Sequence, residues 1–143
     1  MNKKLILELA DWIEKSETFL QTHWFWKLPR CKEDSYCGTP ACIAGHCVVM
    51  SSEFSRFAYE TSNMHFIDMD GDIQNVSVFA EEMMGLEGTQ GMHLFSMAPV
   101  GNAIPTAEDA ARTLRYLAAT REVDWTVTEE QVEQALMEMR GEA

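Results

Sequence analysis

Ala41-Cys42-Ile43-Ala44-Gly45-His46-Cys47-Val48-Val49-Met50 carries no formally charged residue over ten positions. A helix that is apolar all round belongs in a protein interior, so this stretch predicts a central buried helix over 40–50. Thr39 reads as its N-cap and Pro40 as its first helical residue, where the missing N–H costs nothing. Ala41, Ala44 and Gly45 are small enough to let another element approach the helix backbone.

Working outward toward the N-terminus, Leu5, Ile6, Leu9, Trp12, Ile13, Phe19 and Leu20 recur at three- and four-residue steps with charges between them. That is an amphipathic helix of about five turns. A loop follows from His23 to Gly38, rich in aromatics and containing Pro29. Toward the C-terminus, Met64 to Val78 places Phe66, Ile67, Ile73 and Val76 around Asp70-Gly71, which predicts two short strands in a hairpin. Ser77 is read as the cap of a short helix that stops at Gly85. Thr89 opens one more turn carrying Leu94 and Phe95. Beyond a Pro99–Pro105 loop, Thr106 caps a helix with Asp109 at its third position and Ala110, Ala111, Leu114, Leu117 and Ala118 on one face. Thr128-Glu129-Glu130-Gln131 is a capping box, with Val132, Ala135, Leu136 and Met139 behind it and Gly141 as the stop. The fold class is therefore mainly α: a single compact helical domain, 1–143, around a buried central helix, with one short β-hairpin near 64–78.

Charge narrows the function. The first 36 residues hold six basic and six acidic groups, whereas the rest holds five arginines against 17 acids, so the net −12 lies wholly beyond residue 36. Such a field repels nucleic acid, whose binding needs cations to displace phosphate counterions, so no direct nucleic-acid binding is expected. Solubility is the plain reading of the excess. Attraction to a basic protein surface, including mimicry of a nucleic acid before a DNA-binding protein, is the sharper one. No stretch reaches the roughly 20 apolar residues of a bilayer span, so no membrane role is expected. The opening, MNKKLILELADWIEK, lacks the apolar core and cleavage site of a signal peptide, which predicts a cytoplasmic protein.

Cys31, Cys37, Cys42 and Cys47, with His46 among them, are the candidate chemistry. Structural zinc sites usually carry cysteine pairs two to four residues apart, and no C-x-x-C is present. A zinc module built from Cys31, Cys37, Cys42 and His46 or Cys47 is thus an alternative; no metal and no cofactor is the expectation. A disulfide between Cys37 and Cys42 is disfavoured in a reducing cytosol. The thiol-enzyme alternative, a cysteine hydrolase or transferase, makes Cys42 the nucleophile near the helix N-terminus, where unpaired amides lower a thiol pKa. His46, one turn on, is its candidate base, ahead of His23, His65 and His93. Against both stands the reading of buried thiols as small apolar side chains.

The segment Cys37-Gly38-Thr39-Pro40-Ala41-Cys42-Ile43-Ala44-Gly45 resembles the C-G-T-x-x-C-I-A-G signature of an uncharacterised family of small bacterial and phage proteins. Met84-Gly85-Leu86, Leu94-Phe95 and the Thr106 to Ala118 helix resemble the pattern that follows it there, so the resemblance covers roughly half the chain. In that pattern a Trp often stands at the position of His46, which counts against an obligatory base or ligand and leaves Cys37 and Cys42 as the matching pair. The resemblance implies a shared small domain and no activity.

Three features remain. Asp68-Met69-Asp70-Gly71-Asp72 is like a calcium loop, but the EF-hand frame puts Phe66 and Ser77 at ligand positions, so a turn is the better reading. Trp24, Phe25 and Trp26, with Cys37 and Thr39, are the candidate binding residues, Trp being favoured at interaction hot spots. Ten methionines suit adaptable packing. No G-x-S-x-G, phosphate loop, H-E-x-x-H or dinucleotide fingerprint is present. The expected function is a small acidic binding or accessory protein, bacterial or phage, meeting a basic or nucleic-acid-binding partner protein.

Overall fold

The structure is a computed structural model that describes residues 1–16, 42–58, 65–95 and 105–141. The expected helical turns past residue 16, the loop with Trp24, Phe25 and Trp26, the thiols Cys31 and Cys37, and Thr39 and Pro40 lie outside these residues. The described part is mainly helical. Its helices are α1 (Lys3–Glu14), α2 (Ile43–Met50), α3 (Val76–Met84), α4 (Gln90–Phe95), α5 (Ala107–Thr120) and α6 (Glu129–Arg140). One small antiparallel sheet joins β1 (Phe54–Phe57), β2 (His65–Asp68) and β3 (Ile73–Asn75) in the order β1-β2-β3.

The periodicity of α1 sets its inner face. Ile6, Leu9, Ala10 and Ile13 are buried, chiefly against Ala110, Ala111, Leu114 and Leu117 of α5. Arg115 of α5 ties the outer edges of this pair, its guanidinium donating to Asp11 at 2.8 Å and to Glu14. Burial works against the Arg115 charge, and the two carboxylates outweigh it and raise its pKa. Asn2 caps α1 by accepting from the Leu5 amide at 3.1 Å.

The charge-free helix is buried as expected, from Ile43 through Val48. It begins later than the sequence suggests. Cys42, in extended backbone at φ −78 and ψ −174, is the N-cap, and its carbonyl accepts from the His46 amide at 2.9 Å. Cys42 thus precedes the helix and is not its third residue.

The hairpin is present, with a third strand that the sequence reading lacks. Phe54 and Phe57 of β1 both turn toward the core, their ring centroids 4.9 Å apart, because a bulge between Phe54 and Arg56 breaks the two-residue alternation. The β2–β3 turn closes through Met69-Asp70-Gly71. Asp68 N–H donates to Asp72 C=O, Gly71 N–H donates to Asp68 C=O, and Gly71 adopts φ +86. This is a three-residue loop with a left-handed glycine rather than a two-residue hairpin turn. Phe66 carries the sheet onto α3 through Phe79, 5.0 Å between centroids.

The cap of α3 is Asn75, not Ser77. The Asn75 side-chain oxygen accepts from the Val78 amide at 3.1 Å and from the Ser77 hydroxyl at 2.9 Å. Asn75 is also the last residue of β3, so one residue ends the sheet and starts the helix. The chain leaves α3 at Gly85, φ +67, whose missing Cβ would stand 3.0 Å from the Met1 Cα. The Asn2 amide donates there to the Met84 carbonyl at 2.8 Å. The Thr106 cap and the Thr128/Gln131 capping box form as read, and Asp109 completes a second capping box with Thr106.

Candidate functional site

Cys42, the N-cap of α2, and His46, within that helix, are both sealed in the core, 1% and 0% exposed. Burial pushes the Cys42 thiol up from 9.0 to about 11, although the amides of Gly45, Ala44 and Cys42 itself pull the other way. The helix N-terminus expected to activate this thiol is therefore present, and desolvation outweighs it. Cys47 is raised to about 12 by burial. Both are free thiols.

His46 has a partner that sequence reading missed. The Trp12 indole N–H of α1 donates to His46 Nδ1 at 3.1 Å. An acceptor Nδ1 places the proton of the neutral imidazole on Nε2, and the lone pair a general base would use is engaged by the indole. Trp12 is still 43% exposed, so the bond joins a partly exposed indole to a fully buried imidazole. The signal was available: a histidine within a charge-free helix needs a polar partner, and Trp is the apolar residue that carries a donor.

Of the other candidate residues, Trp24, Phe25, Trp26, Cys37 and Thr39 lie outside the described residues, as does Cys31 of the alternative zinc set. Among the described residues, no group of three His, Cys, Asp or Glu side chains could hold a metal ion. The Asp68 turn spends its carboxylate on its own chain. Oδ1 accepts from the Asp70 and Asp72 amides and Oδ2 from the Gln74 amide group, each at 2.9 Å. Donation from Gln74 foremost, and then from the turn amides, holds the Asp68 pKa below the usual carboxylate range.

A second feature is an open groove of about 380 Å³ between α5 and α6. Tyr116 and Thr120 form one wall. Glu130, Gln134 and Glu138, four residues apart on α6, form the other, with Ala135 on the floor. Trp125, buried in the connection between these helices, donates its indole N–H to the His93 carbonyl of α4 at 3.0 Å. Gln90 also donates to the Arg121 carbonyl at 2.7 Å, so the connection is pinned at two points. The spacing 130/134/138 was legible in the sequence; the facing wall, in another helix, was not.

Among the described residues, no helix is long and apolar enough to cross a membrane. The chain matches no family model, no curated protein and no solved structure, so no relative assigns it a family or an activity.

Proposed function

We propose that the chain is a small acidic binding module of bacterial or phage origin, cytoplasmic, which acts by contact with a partner protein presenting a basic or nucleic-acid-binding surface. One observation carries this reading: α6 turns Glu129, Glu130, Glu133 and Glu138 outward, with Arg140 as the single cation on the helix. Only Val132 and Ala135 of that helix are buried. The helix therefore spends most of its surface on solvent and on negative charge. The burial of Cys42 and His46 speaks for their role as core side chains and against the thiol-enzyme alternative.

The test is capture on the immobilised protein from a bacterial lysate, with the bound proteins identified by mass spectrometry at two salt concentrations. Basic proteins should be enriched at 0.1 M and released at 1 M, as the Debye length falls from about 10 Å to about 3 Å. A bound set without basic enrichment, or one retained equally at 1 M, refutes the reading.

A further inference from the structure

We infer that the α5–α6 groove is the docking surface, and that its occupant is a basic helical segment of the partner with two cations about two turns apart on one face. The inference rests on the binding reading above and says where on the chain binding happens.

The argument starts from unneutralised charge. The ion pairs among the described residues join Arg112 to Asp109 and Arg115 to Asp11 and Glu14. Neither Glu130 nor Glu138 is in one, and no described residue lining the groove is a cation. Among the described residues, both carboxylates thus stand in a concavity without a counter-charge, where field lines concentrate and attract a cation. The position of Glu138 sharpens the point. It lies in the last turn of α6, where the helix end is itself negative and a carboxylate is disfavoured. Gln134 Nε2 donates to Glu138 Oε1 at 3.0 Å, which steadies that carboxylate beside the groove.

The spacing sets the occupant. Eight residues at 1.5 Å each separate Glu130 from Glu138 by about 12 Å along α6. Two residues seven apart on another helix lie on one face, about 10.5 Å apart, within side-chain reach of both carboxylates. Between two helices, a third helix is the element that fits, and Ala135 at the floor lets its backbone come close. The Tyr116 ring supplies a face on which an Arg guanidinium can stack.

The experiment uses an 18-residue alanine-rich helical peptide with two arginines seven residues apart. An isomer with its arginines three apart is the comparison. Each is titrated into ¹⁵N-labelled full-length protein at low salt. The expected result is that amide shifts concentrate at residues 116–120 and 128–138, with the seven-spaced peptide bound more tightly than its isomer. Glu130→Gln with Glu138→Gln should weaken binding about tenfold, and Asp70→Asn with Asp72→Asn, the same charge change elsewhere, less than about twofold. Gln134→Lys, at an exposed helix position where lysine is well tolerated, should abolish binding with the circular dichroism spectrum unchanged. Equal weakening by the two double variants, or shifts centred elsewhere, overturns the groove and leaves the acidic binding reading standing. Absence of binding by both peptides also overturns the groove inference, while the salt-dependent capture decides the acidic binding reading separately.

Discussion

Alkylation of Cys42 at pH 7 should be at least about 100-fold slower in the native protein than in the urea-unfolded chain. The thiolate is the reacting species, and a thiol moved from 9.0 to about 11 by burial loses about 100-fold in thiolate fraction at neutral pH. For Cys47, at about 12, the same arithmetic gives about 1,000-fold. Steric shielding of a side chain 1% exposed slows the native-state reaction further, so these factors are lower bounds while the core stays closed. The assay is timed iodoacetamide labelling with and without urea, followed by tandem mass spectrometry that assigns each cysteine. Labelling of native Cys42 within about tenfold of the unfolded rate would refute the buried-thiol reading and restore the nucleophile. A pH arm checks the same point. Above pH 9 the unfolded state has lost thiol protons that the native state keeps, so stability should fall as pH rises from 9.0 toward 11, less steeply in Cys42→Ala.

Three further outcomes are expected. Trp12→Phe removes the only hydrogen-bond donor of that side chain and leaves His46 Nδ1 buried without it, which should cost about 1–3 kcal/mol by urea denaturation; a loss below about 0.3 kcal/mol contradicts the contact. Arg115→Met severs the ties from α5 to Asp11 and Glu14, partly exposed pairs worth about 0.2–1 kcal/mol each, and its effect should shrink in 1 M salt. Asp68 has a depressed native pKa, so its stabilisation is present above the unfolded carboxylate value and lost as pH falls through the native one. The stability gap between wild type and Asp68→Asn should therefore be full at pH 6 and close in acid; a gap independent of pH sinks the assignment.

What the sequence disclosed depended on how near in the chain the interacting groups lie. The Thr106 cap and the Thr128/Gln131 box join residues three apart, and both formed as read. Burial of α2 was legible because a charge-free run has no solvent-facing side. The start of α2 was not, since an apolar cysteine gives no sign of capping. β1 escaped because its bulge puts Phe54 and Phe57 on one side and erases the alternation that marks a strand. Asn75 and Ser77 both suit a cap, and the choice between them is made by where β3 ends. The partner of His46 is 34 positions away, and the groove needs side chains from two helices. In each case the sequence shows one half, a histidine in need of a partner or the 130/134/138 spacing, and leaves the distant half unspecified.

The pairing of α1 with α5 has a consequence for synthesis. Asp11 and Arg115 are 104 positions apart, so α1 meets its partner only after about 100 further residues have been made. At about 5–20 residues per second, that interval is about 5–20 s. Throughout it Ile6, Leu9 and Ile13 form an apolar stripe without the cover that α5 supplies in the folded protein. Closure of the core therefore waits until α5 has been made. A truncation ending before residue 107 should persist as a chaperone client, however well its own hairpin and short helices form.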